Sequence, residues 1–354
     1  MRTVINFIFV LLLAGNTQAR TPKVNVMVDE RMELLTTIQY LSGYPILTQA
    51  DLKYRKEIEE YFRDYRSHPA VVLNREVYER FFGFDAAPTY IYHFSFPGFR
   101  QNAEFSENDL RTFQFDRQAD TLGMLMDYFK DFYKRADFHK FYVSHKGFYD
   151  SLIAPIEKKI DESRVIDVLE EHYGKENKEY NLVLTPLLHD GGYGPMVPKG
   201  RGLALYAIIG PKSDSKDFPE FDIKNLLSEY VLHEFSHSFC NPLIAKNLAE
   251  LQKDSCLLAP IKKAMQEQGY GNWEGCLYEH WVRANEIVLT EKIFSRQRAS
   301  DLADEMVREG KWIYLDGLIA MVRDYKTKRE QYKSIDEVMP QVVEYFHGLR
   351  KTCK

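Results

Sequence analysis

His233-Glu234-Phe235-Ser236-His237 decides how this chain is read. The spacing is H-E-x-x-H, inside a segment with the composition of a helix. On a helix, residues four apart lie on one face, so both imidazoles address a single point. Two neutral imidazoles begin a Zn2+ site. Glu234 is turned about 100° from His233, which puts a carboxylate beside that point, able to take a proton from a water the metal activates. The flanking Val231, Leu232, Ser238 and Phe239 carry no charge, as a helix buried around a metal requires.

A catalytic zinc takes three protein ligands and leaves one position for water. The continuation H-E-x-x-H-x-x-G-x-x-H would put Gly at 240 and His at 243. The chain has Cys240 and Leu243, which excludes it. The other solution is a Glu on a later helix, and Tyr278–Glu286 offers Glu279 and Glu286. Seven residues apart, they share a face and stand roughly 10 Å from each other along the axis, so one of them is expected to reach the metal. Arg283 is spaced to pair with either, and an Arg that holds a ligand carboxylate is a sensible support. The plainer reading is a solvated Glu-Arg-Glu stripe, against which Trp281, Val282 and Ile287 argue for a partly buried helix. Spacing alone leaves Glu279 and Glu286 undecided.

The chain has 354 residues, enough for two modest domains or one large one. Its formal net charge is −5 and no Lys/Arg tract stands out, which argues against nucleic acid as a partner. The 23 Tyr and 23 Phe point to an aromatic-rich core. Residues 1–19 have the pattern of a secretory signal: Arg2, a short apolar stretch from Val4 to Ala14, and small residues at Thr17 and Ala19. Cleavage after Ala19 would start the chain at Arg20, and no cysteine follows to carry a lipid. No later segment is apolar for long enough to span a bilayer. The expected location is therefore periplasmic or secreted, without stable membrane insertion. In that compartment Cys240, Cys256, Cys276 and Cys353 can form two disulfides, in any of three pairings. A Cys240–Cys276 bridge would pin the two ligand-bearing elements together, though Cys256 is an equal partner for either.

The pattern along the chain is α+β. Residues 20–177 read as mostly helical: 28–42 with Gly43 as a stop, a second helix capped by Asp51, 119–135 with a strong apolar stripe, and 138–150. Ala86–Glu104 reads as loop. From about 178 the pattern changes, and 178–354 reads as the metal-binding region. Tyr180–Leu188 and Leu203–Ile209 are strands, separated by the turn His189–Pro195. The metal helix spans about Ile223 to Phe239 and is expected to stop at Asn241-Pro242. A further helix runs from about Trp273 to Phe294. Ser144-His145 lacks a placed acid, so a serine-hydrolase reading is weak.

These residues resemble the gluzincin zinc metallopeptidases and, more closely, a bacterial family known as a domain of unknown function, DUF4932. The resemblance lies in Val231–Leu243, with H-E-F-S-H-S-F-x-N-P-L, and in Tyr270–Ala284, Y-G-N-W-x-x-C-x-x-E-H-x-V-R-A. Gly191–Pro195 and, weakly, Glu33-Leu34-Leu35 and His68-Pro69-Ala70-Val71 add to it. It implies a zincin-like metallopeptidase fold, mostly helical, with a small sheet preceding the metal helix. It also favours Glu279 as the third ligand. One departure is that gluzincins often place Asn before the ligand Glu, whereas here Tyr278 precedes Glu279 and Asn285 precedes Glu286.

The implied reaction is hydrolysis of a peptide or protein substrate. Zn2+ held by His233, His237 and Glu279 would activate a water, and Glu234 would take its proton and pass it to the leaving amine. Arg283, Tyr193 and Tyr314 are donors of the right kind for the oxyanion, with nothing in the spacing to choose among them. In such folds the strand before the metal helix is an exposed edge to which a peptide can add, so Leu203–Ile209 is the expected edge. Two other readings stand beside this one: a non-catalytic envelope binding protein on the same scaffold, and a metal-dependent hydrolase of a non-peptide amide.

Overall fold

The computed structural model describes residues 23–351 and residue 353. The leader reading, residues 1–19, and the expected start at Arg20 lie outside the described residues. The fold is α+β, mostly helical with one small mixed sheet. Its strands are β1 (Val24–Met27), β2 (Glu179–Leu184), β3 (Gly192–Tyr193), β4 (Met196–Lys199) and β5 (Gly202–Ile209). β1, β2 and β5 lie side by side and parallel. β3 and β4 run antiparallel along the other side of β5.

Tyr180 through Leu184 is buried without a break, as a strand covered on both faces requires. Asn181 is the polar exception, and it is satisfied. Its side chain accepts from Asn25 across 3.0 Å and donates to the Leu205 carbonyl across 3.2 Å. β1 has four residues, too few for alternation to register as a strand, so the sequence reading assigns nothing there. Its pairing with β2 means that residues 20–177 and 178–354 share one sheet, and one hydrophobic core runs through both.

Local sequence accounts for some of the helix ends. Asp29 accepts from the backbone of Arg31 and Met32 and starts Glu30–Ser42, which Gly43 ends in a left-handed turn. Ala119–Arg135 forms as expected and buries Leu122, Leu125, Met126, Phe129 and Phe132. Four expectations are corrected. Asp51 caps nothing: the helix Lys53–Tyr61 begins after Leu52, and Asp51 pairs with Lys56 instead. Ala86–Tyr92 is helical inside the stretch read as loop, because all seven of its residues are buried. The stretch 138–150 breaks at His145 into Phe138–Ser144 and Lys146–Ser163.

The fourth correction concerns the helix that carries His233 and His237. A π-helical turn, Leu226–Val231, leads into Leu232–Lys246, which runs straight through Pro242. A proline inside a helix costs about 3 kcal/mol. Burial of Leu243 and Ile244 beyond it offsets that cost, at about 1.5–3 kcal/mol per side chain.

Cys256 and Cys353 form a disulfide, while Cys240 and Cys276 are free and buried. The Cys240–Cys276 bridge therefore does not form. Each thiol meets a different neighbour: Cys240 Sγ lies 3.8 Å from the Tyr173 hydroxyl, and Cys276 Sγ lies 3.4 Å from His280 Nδ1. Among the described residues no helix is long and apolar enough to cross a membrane.

The first helix carries a fully buried acid, Glu33. Tyr54 donates to its carboxylate, and Tyr149 donates to Tyr54 across 2.7 Å. Burial pushes the Glu33 carboxyl up to about 8, against the Tyr54 hydroxyl and with a further push from Asp29. The fold therefore holds a proton that the unfolded chain releases near pH 4.5. Its contribution to stability is complete below that pH, declines as pH rises to about 8, and is level above. Glu33→Gln removes the titration and keeps the shape. The wild-type melting temperature minus that of the variant should fall steadily between about pH 5 and pH 8, and a difference independent of pH would remove Glu33 from this account.

Candidate metal centre

Helix Trp273–Ile293 begins where Asn272 accepts from the Gly275 backbone across 2.8 Å, and it is buried on nearly every face. A helix of that kind belongs in an interior. It packs against the metal helix and brings Glu279 to the two histidines. His233 Nε2 and His237 Nε2 are 3.1 Å apart. Glu279 Oε1 lies 3.2 Å from His237 Nε2, and Glu279 Oε2 lies 3.6 Å from His233 Nε2. The three donor atoms fall within 4.8 Å of one another, and theirs is the one such group among the described residues.

The other ring nitrogens set the tautomers. Glu286 accepts from His233 Nδ1 across 2.9 Å, and Asn241 accepts from His237 Nδ1 across 3.2 Å. In a neutral ring the proton then sits on Nδ1, and Nε2 turns a lone pair to the common point. With both rings neutral, two lone pairs and a carboxylate repel one another at this range, and a metal cation or a proton on one ring relieves it. Glu279 Oε2 is buried and receives no hydrogen bond, although Arg283 Nη2 lies 3.2 Å away. Two nitrogens and one oxygen are a donor set for Zn2+, whereas Ca2+ and Mg2+ prefer oxygen alone.

The charges follow the same geometry. Burial opposes ionisation of Glu279, yet His237, His233 and Arg283 hold it well below the usual carboxylate range. Burial also opposes a charge on His237, but Glu279 outweighs it and pushes the imidazole up to about 9. Burial pushes Glu234 up to about 7, against both imidazoles and with help from Asp85 and Glu279. The side chains of His233 and His237 keep 10 % and 14 % of their surface open, so solvent reaches the centre.

β3 lies across Glu234 at contact distance. A methyl group on Gly192 would sit 2.6 Å from Glu234 Oε1, and one on Gly194 would sit 2.7 Å from the Glu234 carbonyl oxygen. Only glycine lets the backbone come so close. The turn that carries β3 is tied to the π-helical turn Leu226–Val231 by Tyr230, whose hydroxyl donates to Asp190 across 2.7 Å.

The sequence proposed that one of Glu279 and Glu286 reaches the histidines. The structure brings both, to opposite nitrogens of the same ring. Leu203–Ile209 is not an edge: β5 has β2 on one side and β3 and β4 on the other. Of the three donors considered for an oxyanion, Arg283 is held at Glu279, Tyr314 donates to the Leu257 carbonyl, and the Tyr193 hydroxyl is buried without a partner. Ser144 and His145 Nδ1 both donate to the Phe141 carbonyl, so they do not form a nucleophile and its base. Three residues of the site escaped the sequence reading. The sequence marks Asn241 only as a helix stop. Tyr270 lies close enough to Glu279 and Arg283 for their charges to act on it. Asp85 lies close enough to His237 and Glu279 for their charges to act on it, and no local pattern marks it.

The family model described as a domain of unknown function, DUF4932, matches residues 114–345. The chain belongs to the DUF4932 family. The matched span includes His233, Glu234, His237, Glu279 and Glu286, while Asp85 and β1 lie before it. No curated protein and no solved structure gives a match.

The close approach of β3 gives this DUF4932 member a testable weak point. Gly192→Ala should lower stability by about 1–3 kcal/mol through overpacking against Glu234, read from urea unfolding. Gly123→Ala, on a helix and with open space around it, should not.

Proposed function

We propose that this protein is a zinc-dependent peptidase of gluzincin type. His233, His237 and Glu279 are the metal ligands and Glu234 is the general base. The observation that carries this reading is the meeting of two imidazole lone pairs and a buried carboxylate at one point, with Glu234 beside it. A zincin-like architecture is part of the proposal. It is supported by the metal helix that follows the sheet and by an antiparallel edge, β3 and β4, on the side of β5 away from β2. That edge takes the role expected of Leu203–Ile209 and offers backbone groups to an extended peptide.

A bound Zn2+ supplies Lewis acidity, polarising the scissile carbonyl and lowering the pKa of a water. The protein's own groups do the rest. Glu286 and Asn241 hold the Nδ1 side of both imidazoles and so aim each Nε2 at the common point. Arg283 offsets the charge of Glu279. Glu234, carrying a carboxylate at neutral pH for part of the time, accepts a proton from the attacking water and returns it to the leaving amine. The near-complete burial of Glu234 and Glu279 keeps competing water away from that transfer. We place the protein in the periplasm or outside the cell. The leader pattern supports this, as does the Cys256–Cys353 bridge, which suits an oxidising compartment.

Metal analysis of the purified chain should find about one zinc per molecule. Glu279→Ala should abolish binding, and Glu286→Ala should weaken it by about 10–100-fold, which separates ligand from support. Glu234→Gln should keep the zinc and lose peptide cleavage by about a hundredfold or more. A wild-type chain that binds no zinc, or cleavage untouched in Glu234→Gln, would refute the assignment.

A further inference from the structure

A cavity of about 310 Å³ is lined by the helix Trp273–Ile293 and by Tyr230, three residues before His233. Arg283 and Glu286 form the wall nearest the candidate metal centre. They touch the centre themselves, Arg283 at Glu279 and Glu286 at His233. Leu302, Met306 and Trp312, all nearly buried, give the cavity an apolar floor. Glu305 and Glu309 stand on its rim, one helical turn apart.

The charges of this cavity are not balanced. Arg283 spends its positive charge on Glu279 and rests its guanidinium over the Trp312 ring, 4.7 Å from the centroid. Among the described residues no cationic side chain pairs with Glu305 or Glu309. The nearest basic residues in sequence turn elsewhere: Arg308 donates to the Asp304 carbonyl and Lys311 to the Arg308 carbonyl. Both acids also sit where the helix Arg296–Arg308 ends. The helix dipole is negative there, so two carboxylates cost stability rather than add to it. An apolar floor beneath two unanswered acids matches a long cationic side chain. Its stem lies on Leu302, Met306 and Trp312 while its head meets the carboxylates.

We propose that this cavity takes the Lys or Arg side chain of the residue next to the cleaved bond. The word "cleaved" rests on the peptidase reading; the preference for a cationic side chain does not. The test uses the full chain carrying Glu234→Gln and two blocked tripeptides, Ala-Lys-Ala and Ala-norleucine-Ala, which differ by the ammonium group. Calorimetry should find the Lys peptide bound about tenfold tighter or better. Adding Glu305→Gln and Glu309→Gln, two exposed positions, should erase the difference between the peptides. Equal binding, no binding of either, or a preference that survives the added substitutions would overturn the proposal. Digestion of a denatured protein by the wild-type chain then separates the two readings. Cleavage with no basic preference removes the pocket assignment and leaves the peptidase. Selective binding without cleavage leaves the pocket and removes the peptidase.

Discussion

Two imidazole nitrogens that face each other across 3.1 Å, with a carboxylate closing the triangle, impose a demand that the surrounding structure meets. With both rings neutral, such a group is costly to bury without a cation among its atoms. The protein bears the cost with a layered arrangement. Glu286 and Asn241 fix the rings from behind, and Arg283 answers Glu279 from the side. The helix Trp273–Ile293 is apolar on most of its faces, so the core holds it in place and its few charged residues are carried inward with it. The ordering of the site is thus a by-product of packing a helix that has no solvent face.

The sheet contributes in a different way. Its parallel strands are buried and structural, but the short β3 segment presses its backbone onto Glu234 with no side chain between them. This closeness explains the glycine on each side of Tyr193 and ties the turn at 191–195 to the metal helix. It also explains how a carboxylate can be crowded by both imidazoles and still be pushed up to about 7: burial by a neighbouring backbone outweighs their attraction.

What could be read in the sequence was what is local. The spacing of His233 and His237 places them on one helical face whatever the rest of the chain does. The same rule that put Glu279 and Glu286 on one face could not choose between them, because the structure uses both on one histidine. Pro242 misled for the opposite reason. Its local preference is real, but Leu243 and Ile244 are worth more in the core than the missing hydrogen bond. β1 was invisible because four residues have no measurable period and draw their stability from a partner some 150 positions away. Asp85 was invisible on the same ground, since only the folded chain brings it toward His237.

The disulfide has a topological side. Cys256 and Cys353 close a loop of 97 residues that contains the whole of Trp273–Ile293, whereas His233 and His237 lie upstream of it. Closing a loop of that length restricts the unfolded chain by about 4–5 kcal/mol. One jaw of the grip is therefore covalently girdled and the other is held only by packing. Reduction would release that restriction and lower the stability of the whole fold, although only the carboxylate's side of the centre lies within the loop.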